Sequence, residues 1–186
     1  MTFLVGGLGG VSSGGGGQFG GAAPPVPTGV LYTSLLMLHV LCAIVGFGTM
    51  AMTGVQAARA RRGPSPSGSE GVRRYFRPGV NWAGRTLYGV PVFGFSLIGA
   101  SHGAFRPGDG FVVIGLVLWL AATLVAEVVV WPGERRIQLG LAARWSDAGA
   151  AGAAGALDRE CRRVAASAAL LVVLFLAATV IMVGKP

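Results

Sequence analysis

Residues 33–62 read TSLLMLHVLCAIVGFGTMAMTGVQAARARR, an apolar stretch that ends with three arginines in four positions. Its uncharged part runs from Val30 to Ala58, which exceeds the ~20 residues that cross a ~30 Å hydrocarbon core as a helix. Further stretches with few or no charges are Leu87 to Phe105, Phe111 to Trp131 and Val164 to Val183. Because backbone groups cannot bond water inside a bilayer, each stretch is expected to be helical. The sequence therefore predicts an all-α, polytopic membrane protein with a bundle of four transmembrane helices.

The composition supports lipid as the solvent for most of this chain. Only 12% of the 186 residues are charged and 53% are hydrophobic, whereas soluble domains have about 25% charged residues. We predict spans at about residues 31–56, 85–105, 111–131 and 163–183, within one membrane domain of residues 29–186. Residues 1–28 are dominated by glycine and carry no charge, which predicts a flexible tail outside the cytoplasm.

The positive charges fall into two blocks that predict the orientation of the chain. The first block contains Arg59, Arg61, Arg62, Arg73, Arg74, Arg77 and Arg85, and the second contains Arg135, Arg136, Arg144, Arg159, Arg162 and Arg163. Loops rich in Lys and Arg stay in the cytoplasm, so we place both blocks inside and both termini outside a bacterial cytoplasmic membrane. The expected partners are the bilayer, with anionic headgroups at its cytoplasmic face, and not nucleic acid.

The connections between the spans carry local signals of their own. GPSPSGSEG at residues 63–71 and AGAAGAAGA at residues 148–156 predict linkers. Pro132 is expected to stop the third helix. Beyond it, Ile137, Leu141 and Trp145 share one helical face, which fits either a short helix on the inner leaflet or a continuation of the third helix past a proline kink.

Three short motifs resemble a known family. They are Leu38-His39-Val40-Leu41, Trp131-Pro132-Gly133-Glu134-Arg135-Arg136 and Met182-Val183-Gly184-Lys185-Pro186. From about Leu31 to its end, the chain resembles an uncharacterised family of bacterial predicted integral membrane proteins with four helices. That family is similar in its first helix to the copper-resistance D proteins, where a glycine-rich stretch follows the histidine, as Gly46-Phe47-Gly48 does here. The resemblance implies a helical bundle and no established activity.

Two histidines and a cysteine are the candidate ligands for a cofactor or metal. His39 in the first span and His102 near the end of the second both fall in the outer half of the predicted bundle. Cys42 shares the helical face of His39 at i+3. Two facing imidazoles suit a b-type haem, and His39 with Cys42 suits copper or another metal. The simpler interpretation is a neutral histidine hydrogen-bonded between helices, with no cofactor.

Glu127 is the carboxylate that the predicted spans bury, one turn before Trp131 in the third span. An unpaired carboxylate at that depth would be costly. Arg85, at the inner start of the neighbouring span, is its natural partner. We therefore predict a structural ion pair between Arg85 and Glu127, and a proton relay as the alternative.

These residues favour some classes of function over others. The sequence has no Ser-His-Asp set, phosphate-binding loop or paired-cysteine metal motif, so an enzyme is not expected. The leading hypothesis is a non-catalytic accessory, assembly or stabilising component of a larger membrane complex, with membrane-protein subunits as partners. The alternative is a haem b- or copper-handling membrane protein that uses His39 and His102. A transporter is disfavoured because the two halves of the chain do not repeat.

Overall fold

Every regular element in the described part of the chain is helical, which confirms the all-α class. The computed structural model describes residues 29–62, 66–145 and 150–184, with only the backbone at residues 66–69, 144–145 and 150–154. The predicted tail at residues 1–28, the side chains of Arg144 and Trp145, and Lys185 lie outside this description.

The helices differ in length and regularity. They are α1 (Val30–Arg61), α2 (Pro66–Tyr75), α3 (Trp82–Arg85), a 3₁₀ turn (Thr86–Tyr88), α4 (Gly89–Ala100), α5 (Gly110–Val125), a π-helical turn (Ala126–Val130), α6 (Trp131–Trp145) and α7 (Ala150–Gly184). By length and composition, three described helices could cross a membrane: Val30–Arg61, the continuous helix Gly110–Ala143, and Gly155–Gly184. The predicted second span corresponds to α3, the 3₁₀ turn and α4, of which α4 has 12 residues.

The segment containing α4 runs antiparallel to α1. A Cβ atom on Gly46 would lie 3.0 Å from the backbone nitrogen of Leu87. Two turns nearer the start of α1, His39 donates from Nδ1 to the carbonyl of Val90 at 2.8 Å. Residue numbers therefore fall along one helix as they rise along the other.

Helix α7 packs antiparallel to both α1 and the α5–α6 helix. The rings of Phe47 and Phe175 stack with their centroids 4.8 Å apart. Nearer the arginine-rich end, Arg61 Nε binds Asp158 Oδ1 at 2.9 Å. On the other side of α7, a Cβ atom on Gly115 would lie 2.5 Å from Met182 Cε. Helix α7 thus joins the other long helices along its whole length.

The third long helix does not stop at Pro132, so that expectation is wrong. The chain widens into the π turn just before the proline, where the N–H of Trp131 bonds the carbonyl of Ala126. A π turn changes the register of the backbone bonds, which accommodates a residue that lacks an N–H. Ile137 and Leu141 are then 0% and 4% exposed. Of the two predicted arrangements, the structure shows the continuation.

Two segments expected to be linkers are helical in part. Helix α2 begins at Pro66, and proline suits a first helical position because the N–H it lacks would be unbonded there. Val72 in this helix and Phe76 just after it are buried. Helix α7 begins at Ala150, in keeping with the high helix propensity of alanine. At the arginine-rich end of the helix bundle, the buried core includes Ala57, Val72, Phe76, Ile137, Leu141, Leu157 and Cys161.

Candidate functional site

The 3₁₀ turn and the π turn meet at the boundary between the apolar part of the helices and their arginine-rich ends. The hydroxyl of Tyr88, in the 3₁₀ turn, donates to Glu127 Oε1 in the π turn. Arg85 Nη1 lies 3.7 Å from the same oxygen. The structure therefore brings Arg85 and Glu127 together, with side chains 33% and 47% exposed. The structural role of this pair stays a prediction.

The indole ring of Trp131 packs against Arg85 and Tyr88. The guanidinium carbon of Arg85 lies 3.5 Å from the centroid of the indole ring, a cation–π geometry. The ring of Tyr88 lies beside it, with centroids 5.8 Å apart. A Cβ atom on Gly84 would lie 3.4 Å from Trp131 Nε1, and this buried nitrogen has no hydrogen-bond partner among the described residues. The nearest atom to that Cβ would be Met50 Cε at 2.7 Å, so glycine at 84 leaves room for the end of the Met50 side chain beside the indole.

A second group of polar side chains extends the site towards α2. Glu134 is 7% exposed, and Asn81 Nδ2 donates to its Oε1 at 3.5 Å. The hydroxyls of Tyr75 and Thr53 lie 2.6 Å apart. Burial raises the pKa of Tyr75 above its ordinary value, so the phenol stays protonated at neutral pH. The Tyr75 hydroxyl donates to the carbonyl of Thr49 at 3.4 Å.

We call these nine residues the inner-edge network, after the side of the membrane that the sequence predicts for the arginine-rich end. They are Thr53, Tyr75, Asn81, Gly84, Arg85, Tyr88, Glu127, Trp131 and Glu134. They connect α1, α2, α3, the 3₁₀ turn, the π turn and α6. Sequence reasoning singled out only Arg85 and Glu127 from this set as a site. Glu134 lies seven residues after Glu127, which places both on the same helical face if the helix continues past Pro132. Only with that continuation does the sequence indicate that Glu134 belongs to the site.

His39 and Cys42 lie together where α1 packs against α4. Because a carbonyl can only accept, the bond to Val90 places the proton of His39 on Nδ1. A Cβ atom on Gly94 would lie 3.3 Å from His39 Cε1, and one on Gly89 would lie 2.7 Å from Cys42 Sγ. Both side chains therefore fill spaces left by glycines of α4.

His102 lies away from the other two candidate ligands. It follows the end of α4 in a turn, with φ of +50°. It is eight residues beyond Gly94, which is about 12 Å along a helix that rises 1.5 Å per residue. The structure therefore does not bring the imidazoles of His39 and His102 to one level. Within the described ranges, no three His, Cys, Asp or Glu side chains gather as a group that could hold a metal ion.

Comparison with known proteins identifies one family. No curated protein and no solved structure matches the chain. The family described as "Predicted integral membrane protein (DUF2269)" matches residues 33–186. This range includes every residue of the inner-edge network and, except for the first three residues of α1, the helices that are long and apolar enough to span a bilayer. The chain therefore belongs to this family of predicted integral membrane proteins.

Proposed function

We propose that the protein is a non-catalytic accessory, assembly or stabilising subunit of a larger membrane complex. The observation that carries this proposal is that polar side chains between the helices form hydrogen bonds from one helix to another. Trp119 Nε1 donates to the carbonyl of Leu87 at 3.0 Å, and His39 donates to the carbonyl of Val90 at 2.8 Å. Such bonds hold helices together, as polar groups do in membrane bundles. The site supports a rigid scaffold better than a reaction centre.

The outward surface of α1 has room for a partner in the same membrane. Large apolar side chains of the long helices also face outward, among them Leu124 at 64% and Val128 at 57% exposed, where either lipid or a partner helix can cover them. Gly48 has open space where its side chain would be, so a helix of another protein has room to approach α1 there. Close approach at small residues is a common way for membrane helices to associate.

We further propose that the chain crosses the bacterial cytoplasmic membrane four times, with both termini outside. Residues 82–100 rise about 28 Å if helical throughout, close to a ~30 Å hydrocarbon core. Their antiparallel packing along α1 supports a second crossing. The arginine-rich ends of the helices then face the cytoplasm, where anionic headgroups are suitable lipid partners.

Single cysteines test the number of crossings and the orientation. In a background with Cys42→Ala and Cys161→Ala, we would introduce Val80→Cys or Gly108→Cys, both at exposed positions, and label intact cells with an impermeant maleimide. In intact cells, labelling is expected at position 108 and not at position 80. Position 80 is expected to be labelled once the cells are opened. Equal labelling of both positions in intact cells would contradict a crossing between them.

Affinity isolation tests the accessory role. The tagged protein, expressed from its own locus, would be extracted in two mild detergents and in polymer nanodiscs. An unrelated four-span protein at matched abundance serves as the control. We expect one membrane protein to be enriched at the same stoichiometry in all three preparations and absent from the control. Isolation of the chain with lipid alone in every preparation would refute the proposal.

One observation favours a second candidate, a haem- or copper-handling protein. The Val90 carbonyl fixes the proton of His39 on Nδ1, and a ligating histidine is commonly oriented by such a bond while its other nitrogen binds metal. This candidate also draws on the first-helix resemblance to copper-resistance D proteins. The visible spectrum and metal content of the purified protein decide it. A Soret band or bound copper that His39→Ala removes would support this candidate, and a colourless, metal-free protein would exclude it.

A further inference from the structure

One stripe of α7 combines exposed arginines with exposed apolar side chains. Arg159, Arg163, Ala166, Leu170 and Val173 recur every three or four residues, so they share a helical face. Arg159, Arg163 and Ala166 are exposed, and Leu170 and Val173 are 48% and 60% exposed. The opposite face of α7 packs into the protein through Leu157, Cys161, Val164, Ala168 and Leu171. The stripe therefore points away from the other helices.

The two arginines at its end form no ion pair with any other residue that the structure describes. Among the described residues, neither Arg159 nor Arg163 forms an ion pair, whereas their neighbour Arg162 binds Asp158 at 3.1 Å. Like charges one turn apart on a helix repel each other. An anion placed between the two guanidinium groups would remove that repulsion, and arginine is well suited to bind phosphate oxygens in pairs.

The spacing along the stripe suits a phospholipid. Leu170 lies seven residues beyond Arg163, about 10 Å along the helix, and Val173 lies about 15 Å beyond it. Headgroups occupy roughly 5–8 Å outside the hydrocarbon core on each side, and arginine side chains extend towards that layer from helix ends. A phosphate held by the arginines therefore leaves an acyl chain beside Leu170 and Val173.

We propose that Arg159 and Arg163 bind the phosphate of one anionic phospholipid, whose acyl chain lies along Leu170 and Val173. The proposal names one site among the headgroup contacts proposed above, and it rests on the arginine-rich end lying at a bilayer surface. It depends on neither the accessory role nor the number of crossings. A nanodisc made from one lipid mixture presents the same lipid to both leaflets, so failure of the predicted orientation leaves this test intact.

The test counts bound lipid on the full-length protein. The protein is reconstituted in phosphatidylcholine nanodiscs with increasing phosphatidylglycerol of the same chain length, and lipid retention is measured by native mass spectrometry. The double variant Arg159→Gln/Arg163→Gln removes the site. The control Arg74→Gln/Arg77→Gln removes the same charge from exposed positions on and just after α2. A thermal unfolding transition for each variant verifies the fold.

The double variant on α7 and the control on and just after α2 are expected to differ in how strongly they bind phosphatidylglycerol. Each basic residue near an anionic surface contributes about 1 kcal/mol, so removing both weakens phosphatidylglycerol binding roughly 30-fold. The control is expected to lose less than about threefold, because Arg74 and Arg77 are not on the stripe and act on the lipid only through attraction that salt weakens. Arg159→Lys/Arg163→Lys should retain most of the binding, and free glycerol phosphate at equal concentration should not displace the lipid.

Several outcomes would overturn the site. These are equal losses in the two glutamine pairs, no preference for phosphatidylglycerol over phosphatidylcholine, or displacement by free glycerol phosphate. Should the double glutamine variant fail to fold, Arg159→Gln and Arg163→Gln are measured separately. Each is expected to weaken binding about fivefold, and unchanged binding in either variant would refute a site that uses both.

Discussion

Two glycines of α1, two residues apart, offer a matched test of how this helix packs. A Cβ atom on Gly46 would lie 3.0, 3.1 and 3.3 Å from the N, Cα and Cβ atoms of Leu87. The same atom on Gly48 would meet no atom of the described residues within 4 Å. Substituting alanine at either position gains the same helix propensity, about 1 kcal/mol. The difference between Gly46→Ala and Gly48→Ala therefore isolates the cost of the contact with Leu87.

That cost follows from what surrounds Leu87. Two of the three close atoms belong to the backbone of the 3₁₀ turn, which cannot rotate away as the end of a side chain can. Its carbonyl is bonded to Trp119 Nε1, so a shift of the turn also strains that bond. Overfilling a packed contact costs about 1–3 kcal/mol. We expect Gly46→Ala to be less stable than Gly48→Ala by this amount, or about 2–12 °C in unfolding temperature.

Thermal unfolding in mild detergent, followed by tryptophan fluorescence, measures the difference. The emission of Trp119 should also change in Gly46→Ala before unfolding, because the shifted turn lengthens its bond to Leu87. Equal unfolding temperatures for Gly46→Ala and Gly48→Ala would refute the packing of α1 against the 3₁₀ turn. A less stable Gly48→Ala would show instead that position 48 faces a close neighbour.

Four other substitutions test three of the contacts that join the helices. Trp119→Phe removes the donor to the Leu87 carbonyl and should lower the free energy of unfolding by about 1–3 kcal/mol; an unchanged value would mean that the carbonyl has another donor. Glu127→Gln and Arg85→Gln should each destabilise the protein, and a double-mutant cycle should give a coupling of about 0.5–1 kcal/mol, whereas additive effects would contradict the ion pair. Tyr75→Phe should cost about 1 kcal/mol and speed amide exchange in α2 while leaving α7 unchanged, and equal acceleration in both helices would count against a local role for this hydroxyl.

Apolar length and charge placement were sufficient to predict the helical class and the membrane character of the chain. Each candidate span in the structure contains one of the stretches with few or no charges read from the sequence. The proximity of Arg85 to Glu127 follows from similar counting, because both lie near the arginine-rich ends of adjacent segments. Such arguments need only the rise of a helix and the thickness of a bilayer.

The rest depended on contacts between segments distant in the sequence. Pro132 carries a strong local signal to end a helix, yet the burial of Ile137 and Leu141 favours its continuation. The low-complexity sequence around Pro66 likewise hides a helix whose Val72 is buried. Glu134 then becomes a buried carboxylate only because the helix continues and α2 packs beside it. Local propensity is a weak guide where tertiary packing decides the outcome.

The position of the inner-edge network follows from the two prolines near it. Pro91 has no N–H for the Leu87 carbonyl, and Trp119 supplies a donor from the neighbouring helix. Pro132 follows the π turn that carries Glu127, where Arg85 and Tyr88 provide polar partners. Irregular backbone at membrane depth is tolerated where neighbouring side chains satisfy it. Near Pro91 a side chain of the neighbouring helix thus satisfies a backbone carbonyl, and at the π turn the network pairs a carboxylate, so both contacts are structural and need no bound ligand.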